Sequence, residues 1–112
     1  MLADCKDSLS QIRSYLRDEF SFSDDEAFEM IDAYLRDLEK QLFKAKFFLE
    51  CGDTDSLRRT GHAIKGLASN IGSSRVSGFG KLIEDGSGSS LDAICSISSQ
   101  VESLKAERNE AR

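Results

Sequence analysis

One histidine, His62, stands in a segment of the sequence that contains basic but no acidic residues. Between residues 56 and 83 there is no Asp or Glu, and Arg58, Arg59 and Lys65 are the bases closest to the histidine. Nearby positive charge disfavours the imidazolium and keeps the ring neutral and nucleophilic. A neutral imidazole beside cations can accept an anionic group. Phosphoryl is the obvious candidate, because its transfer depends mainly on positioning and charge neutralisation.

The same lack of acids weighs against a hydrolase that uses His62 as a base. No carboxylate lies three or four residues from His62, so a locally built Ser-His-Asp or Cys-His arrangement has little support. A carboxylate from another helix could still orient the ring. Nor do we expect the chain to use ATP, since a P-loop ending at Gly80-Lys81 would need a glycine where Arg75 stands.

The position of His62 on its predicted helix decides whether the ring is exposed. At about 100° per residue, His62 points about 150° away from the centre of the apolar stripe, so we expect it in solvent. Gly66 follows on the same face, where a glycine costs about 0.8–1 kcal/mol relative to alanine and leaves a bare patch open to a partner. Gly61 lies on the buried stripe and predicts close approach by a neighbouring helix. The stripe comprises Leu57, Gly61, Ile64, Ala68 and Ile71.

Apolar residues recur at intervals of three and four along nearly the whole chain, which predicts helices and no strand. A short helix should cover about residues 4–19, with Asp4 or Asp7 near its start. A long second helix should begin at the capping box of Ser23 and run to Cys51, where Gly52 supplies the stop.

Three further helices are predicted after Gly52. Asp53 or Thr54 should cap the third, which ends at Gly72, and Ser73 or Ser74 the fourth. The fourth should turn four side chains inward: Val76, Phe79, Leu82 and Ile83. A flexible connection over residues 86–90 precedes the last helix, from about residue 91 to 107, and the tail over 107–112 should fray.

Four amphipathic helices with short connections bury their stripes together as an antiparallel up-and-down four-helix bundle. We therefore predict an all-α fold, with the short N-terminal helix packed over one end. The 112 residues fit a single domain, 1–112, with the core bundle over about 24–107.

Composition excludes several classes of site and partner. A net charge of −5 argues against nucleic acid, and no apolar run approaches the ~20 residues of a membrane helix. Three cysteines without a C-x-x-C and a single histidine give no zinc or redox motif. Because the start also lacks a signal peptide's pattern, we expect a cytoplasmic protein.

The segment from His62 to Ser73 resembles the signature of histidine-containing phosphotransfer (HPt) domains, H-x-apolar-K-G followed by small residues and apolar-G-small. The Gly52-Asp53 turn and the lead-in Leu57-Arg58-Arg59 are also similar, and the resemblance spans about residues 24–105. Three positions depart from the usual pattern: Gly61 and Ser73 replace alanines, and Leu67 replaces a small polar residue.

The resemblance implies a phosphorelay carrier without kinase activity of its own. His62 would take a phosphoryl group from a receiver-domain aspartate and pass it to another receiver, with a hybrid sensor kinase among the partners. Lys65 would assist with phosphate charge and Gly66 would provide clearance. We add Arg58, Arg59 and Ser69 as the docking surface, because an acidic receiver suits a basic face.

We expect no cofactor on this chain, with magnesium on the receiver instead. The alternative function is a helical binding module that holds a receiver or a partner helix without phosphorylation. We expect a monomer, although Ile97 and Leu104 could instead belong to a dimer seam.

Overall fold

The computed structural model describes residues 8–86 and 90–111, and every regular element within them is a helix. The bundle that the sequence predicts is confirmed: four helices pack together and the N-terminal helix lies against them at one end. In chain order the helices are α1 (Leu9–Phe20), α2 (Asp24–Cys51), α3 (Thr54–Asn70), α4 (Ser74–Asp85) and α5 (Ser90–Glu110). No described helix is long and apolar enough to cross a bilayer.

Local capping chemistry sets most of the helix boundaries. The Ser23 hydroxyl accepts from the Glu26 backbone N–H and the Glu26 carboxylate from that of Ser23, which is the predicted capping box. Gly52 ends α2 at φ +74°, a left-handed conformation that favours glycine. Of the alternatives left open, Asp53 caps α3 and Ser73 caps α4.

The N-terminal helix begins at Leu9, capped by Ser8 in a second capping box, and ends at Phe20. The predicted positions 4–7, with Asp4 and Asp7, lie outside the described residues. Its apolar face is buried against α2 and α5, and its first N–H, on Leu9, donates to the Glu107 carboxylate at 3.2 Å.

Two predictions about the later helices are wrong. The tail does not fray at Glu107, because Arg108 holds α5 to α2 with two hydrogen bonds to Asp32, of 2.9 and 3.2 Å, and α5 runs to Glu110. Leu82 is 39% exposed instead of inward, since α4 presents Val76, Gly80 and Ile83 to the core. Gly86 ends α4 and Ser90 begins α5, whereas the rest of the predicted flexible connection, 87–89, and Arg112 lie outside the described residues.

The alternative that places Ile97 and Leu104 in a dimer seam is also wrong. Ile97 and Leu104 are almost completely buried inside the bundle of a single chain. They are therefore unavailable to a second copy.

The closest packing in the bundle is between α3 and α4, and two glycines make it possible. A Cβ at Gly61 would lie 2.5 Å from the Glu84 backbone nitrogen and 2.8 Å from the Gly80 oxygen. A Cβ at Gly80 would lie 2.7 Å from the Lys65 backbone nitrogen. The close approach predicted at Gly61 is therefore present, and Gly80 is its counterpart on α4.

This contact predicts opposite effects for three Gly→Ala substitutions. Gly61→Ala and Gly80→Ala should each lower the free energy of unfolding by about 1–3 kcal/mol, because the added methyl forces two backbones apart. Gly66→Ala should raise it by about 0.4–1 kcal/mol, since a Cβ there meets nothing within 4 Å and alanine favours the helix. Urea unfolding of the three variants tests this, and equal effects at all three positions would contradict it.

Candidate functional site

His62 lies in the middle of α3 with its side chain 69% exposed, as the helical wheel predicts. Two partly buried side chains flank it: Lys65, 33% exposed and one turn further along α3, and Glu84, 28% exposed and on α4. The imidazole is thus open to a partner while the groups beside it are held by the protein.

The Glu84 carboxylate joins the imidazole to the ammonium. Its Oε2 lies 2.6 Å from His62 Nδ1, and its Oε1 accepts a hydrogen bond from Lys65 Nζ at 2.8 Å. In a neutral ring a carboxylate at Nδ1 selects the tautomer that carries its proton there. Nε2 is then left with its lone pair, as the nucleophilic nitrogen available to a partner.

The packing of α3 on α4 explains how Glu84 reaches the ring. Gly61 precedes His62, and Gly80 lies one turn before Glu84, so the contact between the two glycines brings both side chains to the same seam. Arg58 adds a hydrogen bond of 2.9 Å from its Nε to the Glu84 carbonyl oxygen. The two helices are therefore joined at the level of the candidate site by both backbone and side chains.

Glu84 is the functional residue that sequence reasoning missed, because it lies 22 residues from His62 and belongs to another helix. Two signals pointed to it: the close approach predicted at Gly61, and the position of Glu84 as the first acid after the acid-free segment. The carboxylate from another helix that the sequence left open as a partner of the ring is therefore Glu84.

The hydrogen bonds around Glu84 favour its ionised carboxylate. The hydrogen bond from Lys65 and then that with His62 lower the pKa of Glu84 below its usual value. Glu84 therefore carries a negative charge in neutral solution and offsets the positive charge of Lys65.

The predicted docking residues fall into two groups. Arg58 and Arg59 line a shallow depression of about 550 Å³ together with Asp55, His62 and Glu84. Ser69 lies outside this depression, beyond Gly66 along α3, where its hydroxyl is 3.1 Å from that of Ser77 on α4. The structure thus brings the two arginines to His62 and leaves Ser69 further along the same helix.

The side of His62 towards the C-terminus of α3 is unobstructed at Gly66. No heavy atom lies within 4 Å of the position that a Cβ would take there. Within residues 8–86 and 90–111, no group of three or more His, Cys, Asp or Glu side chains could hold a metal ion.

Comparison with known families adds an independent observation. The family model described as "Hpt domain" matches residues 25–110, which covers nearly all of α2 and continues to the end of α5. No curated protein sequence and no solved structure matches the chain.

The lowered pKa of Glu84 predicts a pH-dependent contribution to stability. Ionised Glu84 should stabilise the fold above the ordinary pKa of a glutamate, and this contribution should be lost as the pH falls through the lowered value. Glu84→Gln should therefore be less stable than wild type at neutral pH, with a difference that shrinks in strongly acidic buffer. Urea unfolding over a pH series measures this difference.

The control is Glu29→Gln, which removes an exposed carboxylate from α2. It should not reproduce the pH-dependent difference. A deficit of Glu84→Gln that is the same at every pH would show that the charge of Glu84 does not stabilise the fold.

Proposed function

We propose that this chain, which belongs to the Hpt domain family, carries a phosphoryl group on His62 between receiver domains of a phosphorelay. Membership of the family gives it a phosphotransfer role in two-component signalling, as a carrier of the kind that interacts with receiver domains. The assignment of that role to His62 and its neighbours is the proposal.

One observation carries the assignment: the 2.6 Å contact between His62 Nδ1 and the Glu84 carboxylate, on a ring whose side chain is 69% exposed. This contact orients the ring and fixes which nitrogen holds the proton. An exposed imidazole oriented in this way is prepared for nucleophilic attack through Nε2.

Phosphoryl transfer to His62 does not require a proton to leave the ring. The lone pair of His62 Nε2 attacks the phosphorus of a receiver aspartyl phosphate, and the N–P bond forms as the bond from phosphorus to the aspartate oxygen breaks. The aspartate leaves as a carboxylate. The phosphorylated ring keeps its Nδ1 proton and becomes cationic, and Glu84 offsets that charge. Attack by a second receiver's aspartate reverses these changes and restores the neutral ring.

Lys65 and Gly66 support the same step in different ways. Lys65 is held 2.8 Å from Glu84, and its flexible ammonium can turn to neutralise the equatorial oxygens of the phosphoryl group. Gly66 places no side chain on the next turn, so the phosphoryl group and the receiver backbone can approach His62.

Arg58 and Arg59 give the docking surface its positive charge, with Ser69 at its far end. An acidic receiver face carrying magnesium would complement them, so the magnesium belongs to the receiver and this chain needs no cofactor. Contacts of this kind are transient, bury less than about 1,200 Å² and weaken as salt rises.

We place this carrier in the cytoplasm as a monomer, with residues 1–112 as one domain. Its partners are response-regulator receivers and a hybrid sensor kinase. The free thiols of Cys51 and Cys95 are consistent with a reducing compartment.

Labelled receivers test the proposed role of His62. Wild type mixed with a phospho-receiver should gain label that is labile in acid and stable in alkali, whereas His62→Gln should gain none. Lys65→Gln should slow labelling by about 10- to 100-fold through lost charge stabilisation. Lys81→Gln, which removes an exposed lysine paired with Asp85 on α4, is the matched control and should label normally. A wild-type chain that binds the receiver but never gains label would identify the alternative, a binding module without phosphorylation.

The effect of a side chain at position 66 on phosphotransfer can be measured separately from its effect on stability. Gly66→Leu should slow phosphotransfer by about 10-fold or more, because its side chain occupies the turn beside His62, while the unfolding midpoint stays at or above that of wild type. The control is Gly78→Leu on α4, an exposed helical glycine that also has nothing within 4 Å of its built Cβ. Equal transfer rates for the two variants, measured with the same labelled receiver, would contradict the role of Gly66.

A further inference from the structure

The C-terminal end of α4 depends on another helix for its capping charge. The last carbonyl groups of a helix have no partner within the helix and form the negative end of its dipole. No basic side chain lies in the last turn of α4, where Glu84 is found. A cation at this end must therefore come from elsewhere in the fold.

Arg58 supplies that cation from α3. Its Nε donates to the Glu84 carbonyl oxygen at 2.9 Å. Its side chain also packs on Gly86, the left-handed residue that ends α4, since a Cβ there would lie 3.5 Å from Arg58 Cδ and Nε. Arg58 thus caps α4 from outside, by a hydrogen bond and by its charge.

The capped residue is the one that orients the imidazole. Arg58 holds the main chain of Glu84, while His62 and Lys65 hold the two oxygens of its carboxylate. Arg58 lies one turn before His62 and Lys65 one turn after it. Glu84 is therefore fixed at both its backbone and its carboxylate by three residues of α3.

We propose that Arg58 is a positioning residue for phosphotransfer: it fixes the backbone of Glu84 so that the carboxylate accepts a hydrogen bond from the Nδ1–H of His62. This is a role within the chain, separate from contact with a receiver. The effect on transfer rests on the proposed function, whereas the effect on the ring does not.

Arg59 provides a matched control within the same turn. It carries the same charge, lines the same depression and is exposed, but its side chain bonds to Ser56 within α3 at 3.2 Å. Arg59→Gln therefore removes a positive charge beside the site without removing the hydrogen bond that Arg58 makes to α4.

The first experiment reads the tautomer of His62 in the free chain. His62 is the single histidine, so ¹⁵N-histidine labelling gives one set of ring signals. In the neutral ring, wild type should hold the proton mainly on Nδ1. Arg58→Gln should shift the tautomer ratio towards Nε2–H by about two- to fivefold, the size expected for an exposed hydrogen-bonded contact. Arg59→Gln should leave the ratio unchanged.

Repeating the tautomer measurement in a Glu84→Ala background tests whether Arg58 acts on the ring through Glu84. In Glu84→Ala the ring has lost its acceptor, so adding Arg58→Gln should not change the tautomer ratio further. A ratio that stays at the wild-type value in Arg58→Gln, or that moves equally in both backgrounds, would overturn the proposal. Native amide spectra of each variant confirm that the bundle is folded.

The phosphotransfer rate gives an independent comparison. If Arg58 acts through Glu84, Arg58→Gln should slow labelling about two- to fivefold more in the wild-type background than in Glu84→Ala, where it removes only a docking charge. A loss that is equally large in both backgrounds, like that expected of Arg59→Gln, would mean that Arg58 only contacts the receiver. Should the chain gain no label at all, the proposed function fails, while the tautomer measurements still decide the role of Arg58.

Discussion

A single carboxylate between two helices determines the geometry of this site. Glu84 accepts from His62 and Lys65 on α3 while its own backbone belongs to α4, so the arrangement exists only where the two helices nearly touch. Gly61 and Gly80 permit that distance. The glycine contact, the ion pair and the orientation of the imidazole are therefore one structural unit, and a change in the helix spacing alters all three.

Local sequence patterns were sufficient for the fold and for the exposed part of the site. Capping boxes and glycine stops depend on residues a few positions apart, so Ser23 and Gly52 could be placed correctly. The end of α5 and the partner of His62 could not, because each depends on a distant helix: Arg108 on Asp32, and His62 on Glu84. Periodicity predicts which face of a helix is buried, but not which side chain of a neighbouring helix will reach across.

The charge around His62 has the opposite sign to the net charge of the protein. The chain carries a net charge of −5, yet Arg58, Arg59 and Lys65 outnumber the two acids that line the depression at the exposed imidazole, Asp55 and Glu84. Over a screening length of about 8 Å in physiological salt, a partner docked at His62 experiences mainly these near groups. An overall acidic protein can therefore present a basic contact surface.

The shared carboxylate also bears on how long a phosphoryl group would remain. One ammonium cannot serve two anions at full strength, so in the proposed cycle a phosphoryl group on His62 competes with Glu84 for Lys65. Occupancy then weakens the ion pair between Lys65 and Glu84, while the cationic ring strengthens the contact between His62 and Glu84. The two changes oppose each other, so the balance between these two contacts of Glu84 sets how strongly the loaded state is favoured over the resting one.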